Sequence, residues 1–261
     1  MPELPDVEIF KKEAEKASRA KVTACEIRDA SFVKVSKKEL EKHVKGKKLN
    51  RIQRKGKNLY LGTSDHHAVA LHFGMTGTLE YEPSKKEASK YMKCSFELDN
   101  NHRLVYASKR KLGSIKLIED LEKHMEREDL GPDALEIKET DFLELLKNSS
   151  AMIKSFLTDQ SQIAGIGNVY GDEILFQAHI HPRQKASTLT GHQGKKLYKQ
   201  MQKVLKTAID KQADVSRFPS SWLSGRRKAG EKCPGCKGEI EKVKISGRTG
   251  YFCPECQKES Q

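Results

Sequence analysis

Two Cys-x-x-Cys knuckles near the C-terminus constrain this chain more than any other feature. Cys233-Pro-Gly-Cys236 and Cys253-Pro-Glu-Cys256 stand sixteen residues apart. That is the spacing of a zinc ribbon, in which two tight turns offer four thiolates to one tetrahedral ion. Four thiolates leave no open coordination position, so a single, structural Zn2+ is predicted rather than a catalytic ion or a pair of redox dithiols. The residues between the knuckles must double back, which predicts a β-hairpin carrying Lys242, Lys244 and Arg248. A metal-stapled hairpin with basic side chains suits contact with a phosphate or a nucleic-acid groove. Cys25 and Cys94 stand in apolar surroundings and read as small buried hydrophobes.

Charge points the same way. Lys and Arg outnumber Asp and Glu by 49 to 36, a net charge of +13. A chain this basic fits either a polyanionic partner or the solvated basic surface of an ordinary enzyme. Its cations gather at Lys34–Lys48, Arg51–Lys57, Lys109–Lys111 and Arg226–Lys232, and several separated clusters fit a concave groove better than a tail. No apolar run approaches the roughly 20 residues of a membrane span. The opening MPELPDVEIFKKEAEK has acidic residues where a signal peptide needs a basic start and an apolar centre. Export is therefore not expected, and the expected compartment is the reducing cytoplasm.

The pattern of elements predicts an α+β protein. Val7, Phe10, Ala14 and Ala17 recur at helical spacing behind Pro2, with Glu3 and Asp6 at the positive end of the helix dipole. Strand signals follow at Tyr60-Leu61, Ala68–Phe73, Met92–Leu98, Leu104–Tyr106 and Ile115–Ile118, with a surface loop over Pro83–Lys90. Strands this close together imply a β-sandwich or barrel with the first helix packed on it. Leu130-Gly-Pro-Asp133 reads as a linker. Helices are then predicted over Asp141–Leu146, Ala151–Leu157, Val169–Ala178 and from Thr190, where Gln193 completes a capping box. The chain becomes irregular after Asp214. Domains are accordingly placed at 1–130, 131–225 and 226–261.

Four further groups carry possible chemistry. Without Met1, Pro2 would present a secondary amine able to attack an electrophilic carbon, with Glu3 beside it to move a proton; the same dipeptide also suits a plain helix start. Gly165-Ile-Gly167-Asn168 serves either as a phosphate nest or as a tight helical turn, with Asn168 able to cap the next helix. Lys57 ends a basic run before a strand, as a phosphate ligand or as part of a solvated face. Met75 in Leu71-His-Phe-Gly-Met75-Thr-Gly and Arg110 to Leu112 flank glycines in strand connections. Such side chains can enter the hole left by an extruded base, although Met75 alone reads first as core packing.

Taken together, MPELPDVE, LHFGMTGTL, LGPDAL, DQSQIAGIGNVYGDEILFQAHIHP and GRTGYFCPECQ resemble the formamidopyrimidine-DNA glycosylase and endonuclease VIII family over nearly the whole chain. The resemblance implies an N-terminal β-sandwich with a flanking helix, a helix–two-turn–helix domain and a C-terminal hairpin zinc finger. It implies a monomeric base-excision repair enzyme acting on double-stranded DNA with oxidised bases or abasic sites, associated with the nucleoid through that DNA. Pro2 would be the nucleophile at C1′, Glu3 the acid on the sugar oxygen, and Lys57 and Arg248 would assist β- and δ-elimination. His72, Met75, Arg110, Leu112, Lys154 and Asn168 would contact DNA. Three departures stand out. Asp6 replaces a usual Glu, leaving Glu173 to support Pro2, and Leu112 replaces a usual Phe. The stretch from Ala208 to Cys233 is short for the branch that reads 8-oxoguanine. An endonuclease VIII-like preference for oxidised pyrimidines or hydantoins, and a non-catalytic lesion binder, are the alternatives.

Overall fold

The computed structural model describes residues 1–110 and 112–259, so Lys111 of the third basic cluster lies outside the described residues. The chain forms two compact units. One comprises Met1–Pro2 with Asp6–Glu128, the other Glu3–Pro5 with the residues from Asp129 onward.

In the first unit, β1 (Val22–Ile27), β6 (Met92–Leu98), β7 (His102–Ser108) and β5 (Gly77–Pro83) form one antiparallel sheet, in the order β1-β6-β7-β5. A second sheet runs β2 (Leu49–Lys55), β3 (Asn58–Thr63), β4 (Ala68–His72), β8 (Ser114–Ile118). All eight strands send residues into a single apolar cluster, among them Val22, Leu49, Leu61, Leu71, Leu79, Phe96, Leu104 and Ile115. This is the expected sandwich rather than a barrel. Helix α1 (Leu4–Glu15) adds Val7 and Ala14 to that core. The outer face of the β2-β3-β4-β8 sheet is covered by α3 (Leu121–Arg127), which packs Leu121 and Met125 against Tyr60 and Ala70.

Helix α2 (Lys37–Val44), helix α3 and strands β1, β2 and β5 add to the elements read from the sequence. In α2 the Ser36 hydroxyl accepts from Glu39 N, and Leu40 and Val44 are buried. Lys37, Lys38, Lys42 and His43 around those two apolar residues made the segment look like a charge run.

In the second unit, α4 (Glu139–Lys147), α5 (Ile153–Thr158), α6 (Asn168–Ala178) and α7 (Gly191–Asp210) enclose Phe142, Phe156, Ile174, Leu197, Met201 and Leu205. Full burial of such side chains contributes about 1.5–3 kcal/mol each. The Thr190/Gln193 capping box starts α7 as expected, and Leu4 from the first turn of α1 completes this core. The hairpin of β9 (Glu241–Ile245) and β10 (Arg248–Phe252) turns through Ser246 and Gly247, both at positive φ. It is not walled off from the helices. Cys233, Ile240 and Cys253 share a cluster with Phe176 of α6 and Leu223, so residues 131–225 and 226–261 fall in one unit. Among the described residues no helix is long and apolar enough to cross a membrane.

Candidate active site

The glycine turn between α5 and α6 settles where Glu3 points. Glu3 is fully buried. Its carboxylate accepts from Gly167 N at 2.8 Å, Val169 N at 2.9 Å and Tyr170 N at 3.3 Å. These are the orphan donors at the start of α6, where the helix dipole also favours negative charge. Asn168 was expected to cap α6. The structure corrects this: Gly167 is the N-cap residue, without a side chain to offer, and Glu3 supplies the missing acceptor. Gly167 is required because a Cβ there would overlap the Glu3 carboxylate, and Gly165 adopts φ +112 against Leu4. The turn's amides are thus used by a protein carboxylate. Pro2 is half-buried and Met1 is exposed.

A second cluster lies where α5, α6 and the hairpin meet. Lys154 was expected to bind a DNA phosphate. It is only 1% exposed, is paired with Asp172, itself 1% exposed, and lines the cavity that Arg248 also lines. Burial lowers the Lys154 pKa and the Asp172 charge partly restores it. Asp172 also accepts from Arg227 Nη2 at 2.7 Å and from Tyr251 N at 3.1 Å. Asn168 donates its Nδ2 to Thr249 O at 2.8 Å, and the exposed Arg248 donates to Thr158 O at 3.2 Å. Arg248 stands on the wall of a cavity of about 460 Å3, with Thr158, Gln160, Ser155 and Ser246. Asp172 and Arg227 were not singled out from the sequence.

The sandwich unit presents its own set. Lys57 sits in the two-residue turn joining β2 to β3, after Gly56 at φ +57. His72 pairs in register with Asn58, the residue after Lys57. It lines a cavity of about 300 Å3 with Asn58, Ser114, Lys116 and Glu128. Desolvation, then the charges of Lys57 and Lys116, lower the His72 pKa, and its Nδ1 accepts from Gly74 N. The neutral ring therefore offers Nε2–H as its donor. Arg110 is exposed, and its backbone N–H bonds Thr76 Oγ1 at 2.9 Å. Gly74, at φ +56, leaves no room for a Cβ against the backbone of Leu112 and Gly113. These contacts lace the two loops together and turn Met75 and Leu112 outward, 38% and 52% exposed. Met75 is not a core residue; it stands with Leu112 as a pair of apolar side chains in solvent.

Glu173 was expected to support Pro2. Its carboxylate is held instead by Leu223 N, Ser224 N, the Ser224 hydroxyl and Gln177 Nε2. Burial raises its pKa against those hydrogen bonds. It clamps the segment after α7 to α6. Glu173→Ala would leave two amides in a nearly dry site without an acceptor, so a loss of about 2–3 kcal/mol in urea unfolding is expected. A loss under about 0.5 kcal/mol would show that water replaces the carboxylate.

The four knuckle thiols fit zinc. Cys233 Sγ and Cys256 Sγ are 3.7 Å apart, Cys236 Sγ and Cys253 Sγ 3.6 Å. A tetrahedron of 2.3 Å bonds has edges of about 3.8 Å. Gly235 N and Gly238 N each point at a knuckle sulfur from 3.3 Å, which spreads thiolate charge. Gln257 ties the second knuckle to Ile180 O at the end of α6.

Comparison with known proteins places this geometry. Three family models match in order: the formamidopyrimidine-DNA glycosylase N-terminal domain over residues 1–115, its H2TH domain over 130–220, and the zinc finger found in FPG and IleRS over 230–258. The formamidopyrimidine-DNA glycosylase of Pelotomaculum thermopropionicum is 32% identical over 99% of both chains. That of Arabidopsis thaliana is 34% identical over 99% of this chain and 71% of its own. A solved complex between Lactococcus lactis Fpg and a Fapy-dG-containing DNA superposes with a TM-score of 0.86 at 30% identity, covering 98% of this chain and 100% of that one.

Proposed function

The chain belongs to the formamidopyrimidine-DNA glycosylase family, and on that premise we propose that it is a bifunctional DNA glycosylase and AP lyase of base excision repair. Its substrate is duplex DNA carrying an oxidised base or an abasic site, which it meets as a monomer in the compartment that holds the DNA. The observation that carries this reading is Glu3, next in sequence to Pro2, buried and aimed by three backbone amides.

The damaged nucleotide leaves the stack because its C1′ is out of reach inside the duplex. Met75 and Leu112 fill the space it vacates, and Arg110 addresses the orphaned base. The Pro2 nitrogen bonds to C1′ as the bond from C1′ to the base breaks, and the base departs with that electron pair and takes up a proton. The Pro2 nitrogen, protonated once it has bonded to C1′, gives its proton to the Glu3 carboxylate, which passes it to the ring oxygen; the sugar opens and leaves an iminium between Pro2 and C1′. Loss of a C2′ proton then expels the 3′ phosphate, and loss of a C4′ proton expels the 5′ phosphate. Water finally hydrolyses the iminium and frees the amine. In the sandwich, the Lys57 charge offsets a phosphate while the neutral His72 donates a hydrogen bond to one; in the helical unit, the Arg248 charge and the Asn168 amide serve in the same two ways. Zinc holds the finger and takes no part in bond making.

We further infer that 8-oxoguanine is a poor substrate. A lid that closes over a flipped purine needs free chain. Here Glu173 pins Leu223 and Ser224, Asp172 pins Arg227, and Gly230 N bonds Ile240 O at 2.9 Å. Matched duplexes carrying formamidopyrimidine-guanine, thymine glycol or 8-oxoguanine test both statements. Cleavage of the first two is expected, with 8-oxoguanine slower by about tenfold or more. Cleavage of none would overturn the glycosylase reading, and equal rates would overturn the lesion preference alone.

A further inference from the structure

We propose that Asp172 is a positioning residue for strand cleavage: it locks the finger hairpin to α6 and so sets where Arg248 meets DNA. The proposal rests on reading Arg248 as a phosphate ligand that assists δ-elimination.

Helix α6 is buried on nearly every side, with Ile174, Leu175 and Phe176 following directly. An apolar residue would fill position 172 without the cost of desolvating a charge. The carboxylate there has both oxygens engaged. Oδ1 takes the Lys154 ammonium; Oδ2 takes Arg227 Nη2 at 2.7 Å, Arg227 Nε at 3.2 Å and the backbone Tyr251 N at 3.1 Å. The last bond reaches β10. Asn168 lies one helical turn before Asp172 and bonds Thr249 O on the same strand. Two residues a turn apart on a helix thus grip two residues of one strand, fixing its height and direction.

Neighbouring side chains are cut to fit this grip. Gly250 lies between the two gripped residues, and a Cβ there would overlap Lys154 Nζ and crowd Asp172 Oδ1, which stands 2.9 Å away. Arg227 also lies over the Tyr251 ring, 5.1 Å from its centroid. Arg248 leaves the strand one residue before Thr249, and its guanidinium reaches Thr158 O on the cavity wall. Without the Asp172 charge, the buried Lys154 and the half-buried Arg227 become two cations with no anion between them, and the hairpin that both flank loses its anchor. Misplacement by about 1 Å is enough to cost up to about 100-fold in a positioned step.

The test is product partition on an abasic-site duplex, scored as δ-product over β-product, with zinc content and the borohydride-trapped adduct measured in parallel. Asp172→Asn keeps the size and one acceptor but removes the charge. A fall in the δ-to-β ratio of about tenfold is expected, with one zinc per chain retained and a much smaller loss of adduct. Arg227→Met, at a less buried position, should shift the ratio the same way and decides the matter if Asp172→Asn fails to fold. Arg248→Gln is the control. If it leaves the ratio native, the assignment of Arg248 fails and takes the proposal with it. If it lowers the ratio while the other two variants leave it native, or lose all products equally, the proposal about Asp172 alone is overturned.

Discussion

A chain carrying one extra residue ahead of Pro2 is expected to give no borohydride-trapped adduct with an abasic-site duplex. The processed chain should trap readily. In the extended chain the proline nitrogen is a tertiary amide whose lone pair is delocalised into the carbonyl, so it cannot add to C1′. The fold has no reason to change, because Met1 is already exposed and the structural roles begin at Glu3. Loss of a nucleophile costs about 10^4-fold or more when other groups remain. Pro2→Gly makes a sharper comparison. It keeps an α-amine, so an adduct should survive, formed as a neutral-capable imine in place of the obligate iminium. A normal yield from the extended chain would move the nucleophile to another amine, with Lys57 the first to examine. Glu3→Gln separates the partner's role. It keeps the size but weakens the acceptors that Gly167, Val169 and Tyr170 use, and reduced ring opening is expected together with lower stability.

The finger was legible in the sequence because four thiolates at knuckle spacing have one common use, and the structure gathers them. Pro2-Glu3 was not legible by itself, since the same dipeptide suits a plain helix start. What was not legible depended on contacts far apart in sequence. Nothing in the turn Gly165–Gly167 says that its amides are taken by a residue more than 160 positions away, as the Glu3 bond to Gly167 N is. From sequence a phosphate nest and a carboxylate-filled helix start look alike, since both need glycine and free N–H groups. Charge runs misled in another way. Strand β2 lies where Arg51, Arg54 and Lys55 dominate, yet Arg54 is tied to Glu8 at 2.6 Å and Lys55 reaches Met125 O. Those stems lie along the protein rather than in water. One further signal stands in the sequence. Asp172-Glu173 is a double acid inside an otherwise apolar helix, and such a pair must be satisfied by partners brought from elsewhere.

Cys236→Ala is expected to empty the finger of zinc and to weaken DNA binding on the order of 100-fold, while the sandwich and α7 keep a cooperative unfolding transition. Cys236 is exposed, so the substitution leaves no cavity and acts through the metal alone. The segment beyond Lys232 owns little apolar material: Val243, Ile245 and Phe252 form its separate cluster, and the shared cluster leans on Phe176 and Leu223. A unit under about 40 residues seldom folds on such a core without a staple. Zinc supplies about 10–16 kcal/mol of apparent binding energy in comparable fingers, more than those side chains can replace. Three thiolates hold the ion far more weakly than four. With the metal gone the hairpin loses its turn geometry, and Arg248, Lys242 and Lys244 no longer meet the DNA together. Two lost charge-assisted phosphate bonds at about 1.5–3 kcal/mol each account for the expected loss. A chelator should reproduce the defect in the unsubstituted chain, and added zinc should reverse it there but not in Cys236→Ala. Undiminished affinity in a zinc-free variant would assign the binding to the helical turn and the sandwich loops alone.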